Sequence, residues 1–409
     1  MFEAITRCRS CGEGDLWTVL DLGHQYLSDF RPDGSKPPSA PLELVRCDLG
    51  CGLVQLAHTV DRTNLYTDNY GFRSGVNEGI VNDLKRVVWT GLDYVRSGSW
   101  LDIASNDGTL LSFVPKSFYR HGFDPVTKFK VEAEQHADVV TDDFFTAKAC
   151  DGRLFDVVTS ISMFYDIDDL NGFVSEVKSV LAPEGVWVIQ QNYLLDMLQQ
   201  GAVDNVCHEH LTYFSLNTLS TLLNRHNLRV VKVERSNVNG GVIRTVVVHA
   251  DSQWPEPRSV GKAHDVEAQY GLHLPGTYLQ FADTARNNIE ELRDLVNDLA
   301  DLGQSIDIYG ASTRGAVLWQ AAGIDHRHIR QAVERQDEKV GKWFSPVGVP
   351  IVSEETMRAD PPDTLLVGPW WHKDAFLARE QQFLHDGGAM VFPLPDVRVY
   401  TDTRVEDPA

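Results

Sequence analysis

A chain of 409 residues is too long for one hydrophobic core and about right for two or three domains. Hydrophobic residues at 43% and charged residues at 23% are ordinary globular values, and no apolar run reaches the ~18 residues of a membrane span. Lys and Arg total 37 against 58 Asp and Glu, a net charge of −21 that disfavours nucleic acid and anionic lipid. An anionic ligand must therefore be held by a local pocket. The opening Met-Phe-Glu-Ala-Ile-Thr-Arg-Cys lacks the basic-then-apolar pattern of a signal peptide, so the expected location is the cytoplasm.

The first stretch, 1–70, reads as short strands and turns built around cysteines. An amphipathic helix is expected from Val76 to Val95, followed by strands at Trp100–Ile103, His121–Phe123, Asp138–Thr141, Phe155–Ser160 and Val186–Gln190. Helical patterns fall between the strands, including Leu170–Leu181, which closes at Pro183-Glu184-Gly185. Leu228–Glu234 and Val242–His249 are β-branched and joined by the turn-rich Arg235–Gly241, which reads as an antiparallel hairpin. By fold analogy, such a pair closing a parallel run predicts an α/β, Rossmann-like class I methyltransferase sheet over 71–255. After Trp254-Pro-Glu-Pro257, a helical connection is expected over 256–303, mainly Val266–Leu302. A C-terminal α/β domain over 304–409 starts with strand Ser305–Tyr309, loop Gly310–Gly315 and helix Ala316–Ala322, followed by strands near Gln331–Val333 and Thr364–Val367.

Four of the six cysteines form two close pairs, Cys8/Cys11 and Cys47/Cys51. Tetrahedral zinc takes two ligands from each of two turns, and Gly12 and Gly52 stand where such knuckles bend sharply. Four thiolates leave no open position, so the expected zinc is structural. Cys150 and Cys207 stand apart from it.

Asp102, Ala104, Ser105, Asn106, Asp107 and Gly108 form the turn after the first strand of the alternating region. Small side chains at 104 and 108 admit a ligand to the backbone, and asparagine tolerates left-handed dihedrals. Asp102 and Asp107 suit the cationic methionine end of S-adenosylmethionine better than a pyrophosphate, which prefers a neutral helix N-terminus. Asp124, 22 residues after Asp102, is placed for ribose hydroxyls, and Asp142 and Asp143 for the adenine. Each of these aspartates has an alternative use as a helix cap.

His208, Glu209 and His210 form the densest polar cluster, within Asp204–Ser215, and supply an imidazole base with a carboxylate beside it. They are expected to face the cofactor crevice. The spacing is not His-Glu-x-x-His, so a zinc protease is not indicated.

With this segment the chain resembles the sugar C-methyltransferases of deoxysugar biosynthesis. The matching stretches are the cysteine pairs with Gly52–Leu56, Tyr70–Asn77, Ser105–Leu111, His208–Leu211, Asn239–Gly241, Tyr309–Ser312, Val333–Arg335 with Lys339–Lys342, and Gly368–Trp370. The resemblance implies S-adenosylmethionine, a structural zinc, and a thymidine-diphosphate-linked keto-sugar as acceptor, methylated on carbon next to the ketone. It assigns the base to His210, its orientation or polarisation to Glu209, and a neighbouring role to His208. Substrate contacts are expected from Tyr70, Phe72, Arg73, Ser74, Asn77, Tyr193, Cys207, Tyr213, Asn239 and Gly240. Cys207 and Phe72 depart from the family pattern, which has tyrosine there, and Tyr70, Tyr193 or Tyr213 can compensate. In the C-terminal domain, Ser312, Arg314, Lys342 and His372 are candidates for the nucleotide end. The loop Gly310–Gly315 lacks the Lys-Ser/Thr of a Walker A motif but offers backbone N–H groups and Arg314 to a diphosphate. The alternatives are a non-sugar acceptor, a nicotinamide-dependent oxidoreductase and a zinc-dependent scaffold. Oligomeric state is left open, a monomer being compatible with the sequence.

Overall fold

A computed structural model describes residues 2–65, 73–255 and 258–402, and the backbone of 405–406. Its centre is a seven-stranded sheet of β1 (Gly98–Ile103), β2 (Phe118–Phe123), β3 (Val139–Thr141), β4 (Phe155–Ile161), β5 (Leu181–Asn192), β6 (Leu228–Ser236) and β7 (Val242–His249). The spatial order is 3-2-1-4-5-7-6, with only β7 antiparallel to its neighbours. A nicotinamide-binding sheet runs 3-2-1-4-5-6 in parallel. The inserted hairpin strand rules that reading out for this sheet and leaves the methyltransferase arrangement.

The two faces of the sheet follow from alternation along each strand. Trp100, Val157, Val186 and Val188 pack on one face with Leu84, Val87 and Val88 of helix Glu78–Leu92. Leu101, Val158, Trp187 and Ile189 fill the other face. The helix expected over 76–95 is shorter because Asn77 caps it, its Oδ1 accepting from Gly79 and Ile80.

The cysteine-bearing segment is tied into both other domains. Leu16–Tyr26, Ser39–Cys47 and Val54–Leu56 form an antiparallel sheet whose fourth strand is Thr212–Tyr213, paired on Gln55 and Val54. Phe30–Arg31 leaves this module and pairs with Trp343–Phe344, so it becomes an outer strand of the C-terminal sheet. The Phe30 and Phe344 rings stack there, 6.0 Å between centroids.

Two helices, Arg258–Tyr270 and Pro275–Asp301, replace the single helical stretch expected from Val266. The second spans about 40 Å at 1.5 Å per residue. Its buried residues Tyr278, Phe281, Ala285, Ile289, Leu292 and Val296 recur at helical spacing. In the C-terminal domain Ile306–Tyr309 lies between Thr364–Val367 and Ala332–Glu334, all parallel. Among the described residues, no helix is long and apolar enough to cross a membrane.

Candidate active site

The thiols of Cys8, Cys11, Cys47 and Cys51 lie within 4.8 Å of one another. Gly12 and Gly52 have φ of 75° and 78° and donate to the carbonyls of Cys8 and Cys47, closing the two knuckles. A Cβ on Gly50 would stand 2.6 Å from the Cys47 sulfur and 2.8 Å from that of Cys11. Burial, followed by the neighbouring thiols, pushes Cys47 up to about 11. A soft dication that deprotonates all four thiols fits this donor set.

The turn after β1 behaves as its small residues predict. Ala104, Asn106 and Gly108 have φ of 62°, 50° and 79°. Asp124, at the end of β2, accepts from the Asn106 and Val126 amides, each at 2.8 Å, and so holds the turn open. Beside it lies a cavity of about 320 Å³ lined by Ala104, Asn106, Asp124, Asp143, Phe145, Met163 and Asp168. A narrower space of about 40 Å³ shares Ser74, Ala104, Ile161 and Ser162 with it and adds Asp102, Ser105, Gln190 and Asn239. Asp102 takes a 2.6 Å bond from Thr159, and burial lifts its carboxyl to about 7. Among the described residues, the buried Ser105 hydroxyl has no hydrogen-bond partner.

Two residues of this turn, and Asp142 after β3, have structural roles of their own. Asp107 is absent from both described linings and accepts from the Gly75 amide at 2.9 Å and from the Thr109 hydroxyl at 2.6 Å. Gly108 is required by packing, since a Cβ there would lie 2.8 Å from the Ala133 Cα. Asp142 pairs with Lys130 at 3.1 Å and is absent from the described cavity lining.

The His-Glu-His segment is suspended between neighbours. His210 Nδ1 bonds the Asn205 carbonyl at 2.9 Å, and its ring packs edge-on against Tyr165, 4.4 Å between centroids. Tyr165 lies between Met163 and Asp166, which line the larger cavity. Burial first, then the Arg314 charge, lowers His210 to about 4, so it is a neutral imidazole at physiological pH. Burial raises the carboxyl of Glu209 and, more strongly, the thiol of Cys207. Tyr213 donates to the same Asn205 carbonyl at 3.1 Å. His208 does not face the crevice. It is buried against the cysteine-bearing sheet with Nε2 3.1 Å from the Ala40 carbonyl, because Thr212–Tyr213 must continue into that sheet.

Other contact candidates also have structural partners. Tyr193 turns away, donating to Glu267 at 2.8 Å. Asn77 is occupied as a helix cap. Arg73 sits among Asp107, Glu132 and Glu338, while Ser74 donates its amide to Asn106 at 3.0 Å. Tyr70 and Phe72 lie outside the described residues. Asn239, at φ 51°, gives its carbonyl to Arg314, and Gly240 takes a 2.7 Å bond from Gln200.

Arg314 is the largest correction in the C-terminal domain. It is spent on Asp204, with Nε at 2.9 Å and Nη2 at 2.8 Å, and it lies over the Trp371 ring at 4.1 Å. Trp370 adds a second hydrogen bond to Asp204 at 2.9 Å. Ser312 caps its own helix through Gly315. Lys342 sits in the turn closed on Lys339, and His372 stands beside Trp371, 5.7 Å between ring centroids.

Sequence reasoning missed Tyr165, Asn205, Ser162 and the Asp204–Arg314 pair. Ser162, a non-glycine at φ 55° just past β4, has a sequence signal, because ligands gather at the carboxyl ends of parallel strands. Asn205 acts through its backbone and has none.

Residues 8–66 match a family described as "Putative zinc binding domain", 84–233 one described as "Methyltransferase domain", and 237–395 one described as "C-methyltransferase C-terminal domain". The C-methyltransferase NovU of Streptomyces niveus is 28% identical over 408 residues, covering 97% of each chain. Two solved structures share lower similarity. An S-adenosylmethionine-dependent methyltransferase from Clostridium acetobutylicum ATCC 824 is 15% identical, with TM-score 0.35, over 41% of this chain and 92% of that one. Magnesium protoporphyrin IX methyltransferase from Synechocystis PCC 6803 is 13% identical, with TM-score 0.34, over 42% and 80%. Three matched domains in order, aligned nearly end to end with a C-methyltransferase, support S-adenosylmethionine-dependent C-methyl transfer by a chain with an N-terminal zinc-binding domain.

Proposed function

We propose that the acceptor is a nucleotide-linked keto-sugar, represented by a thymidine-diphosphate sugar in the assay below, and that His210 removes the proton next to its ketone. The observation that carries this reading is the bond from His210 Nδ1 to the Asn205 carbonyl. A carbonyl only accepts, so Nδ1 holds the ring proton and Nε2 is left with a free lone pair. The α C–H proton passes to Nε2, and its electron pair moves into the enolate. Glu209, with its carboxyl raised by burial, is suited to sharing a proton with the enolate oxygen.

Asp102, Asp124 and Asp143 are the residues suited to holding the cofactor. When bound, it supplies a sulfonium methyl to the nucleophilic carbon. Holding both reactants in register is worth up to roughly 7–11 kcal/mol. The sugar class rests on the ordered sequence resemblance, Tyr70–Asn77 and His208–Leu211 above all.

The test is incubation with the cofactor and a panel of thymidine-diphosphate keto-sugars, reading a mass gain of one methyl and solvent deuterium at the α carbon. His210→Ala should keep cofactor binding and lose both signals. Undiminished deuterium exchange in that variant removes His210 from the role of base, and no methylated sugar across the panel removes the acceptor class.

A further inference from the structure

Arg9 stands between the ligand Cys8 and Ser10, on the first zinc knuckle, yet its side chain is only 3% exposed and reaches from the module to Asp168. Its Nε donates to Asp168 at 2.8 Å, Nη1 to the Leu56 carbonyl at 2.6 Å and Nη2 to the Thr59 hydroxyl at 2.7 Å. Thr59 in turn donates to the same Asp168 oxygen at 2.8 Å. Asp168 lines the larger cavity together with Asp166, Ile167 and Asp169. Asn171, three residues on, donates to the carbonyls of Arg9 and Ser10, and Arg225 holds Ser10 from a second helix. The knuckle and the cavity wall therefore share one hydrogen-bonded unit.

We infer that Arg9 is a positioning residue that couples the zinc site to cofactor binding through Asp168. Whatever orders the Asp166–Asp169 wall also orders the knuckle, so each site tightens the other by the same factor. The zinc then does more than stabilise its own module. This inference draws on the cofactor and the metal alone and is independent of the acceptor and of His210.

The experiment measures zinc affinity of the full-length protein by chelator competition, with and without S-adenosylhomocysteine, and S-adenosylhomocysteine affinity by calorimetry. In the native protein, saturating S-adenosylhomocysteine should tighten zinc about tenfold, within the roughly 5–150-fold span of couplings between sites. Arg9→Met, still carrying one zinc, should lose that coupling and bind S-adenosylhomocysteine about tenfold more weakly. Asp168→Asn tests the same link from the other side, at a side chain 54% exposed and with its size preserved. A direct cofactor contact by Asp168 would weaken binding, but only the proposed link makes the zinc response disappear as well. A native protein whose zinc affinity ignores S-adenosylhomocysteine overturns the inference, and so does native coupling in either zinc-loaded variant.

Discussion

Replacing Arg314 with methionine strands a carboxylate that has no water to turn to. Asp204 has no exposed side-chain surface, and the guanidinium supplies its neutralising charge and one of its two hydrogen bonds. Removing one partner of such a pair costs roughly 3–5 kcal/mol, because the remaining charge stays dehydrated. The Trp370 indole bond survives in Arg314→Met, so the expected loss is near the lower figure, about 3 kcal/mol. Asp204→Asn/Arg314→Met carries no stranded charge and should lose less than the two single variants combined. An interaction energy of about 1–3 kcal/mol is expected from residues in such direct contact. Equilibrium urea unfolding, followed by both tryptophan fluorescence and far-UV circular dichroism, separates domain transitions and yields the cycle. Strict additivity, or a single-variant loss below about 1 kcal/mol, refutes the view that this pair holds the C-terminal domain onto the His-Glu-His segment.

Asn77→Ala should cost about 1 kcal/mol through the lost helix cap while leaving acceptor KM unchanged, whereas a substrate-contact role would raise KM. Gly108→Ala combines a left-handed backbone with a Cβ 2.8 Å from Ala133, so it should destabilise by roughly 1–3 kcal/mol and weaken S-adenosylhomocysteine in calorimetry. Because His210 is depressed to about 4, it stays a neutral base as pH falls through 6.5, and the acid limb of kcat/KM should lie below that value. Arg314→Met removes one cause of the depression and should move the limb upward. A native limb centred at or above 6.5 contradicts the assignment.

Short-range physics made much of this protein legible from its residues alone. The paired cysteines with Gly12 and Gly52, the alternation that sorts Trp100 from Leu101, and the left-handed turn through Ala104, Asn106 and Gly108 depend on neighbours a few positions away. The hairpin after Leu228 likewise carries the sheet type in its own residues. What tertiary structure alone decided was the partner of each buried polar group. His208 turned to Ala40, Tyr193 to Glu267, Arg314 to Asp204 and Arg9 to Asp168, across separations of 168, 74, 110 and 159 residues. A buried charge or phenol must be satisfied, but which distant segment satisfies it depends on how the domains pack. That choice has no periodicity or spacing along the chain from which it can be read.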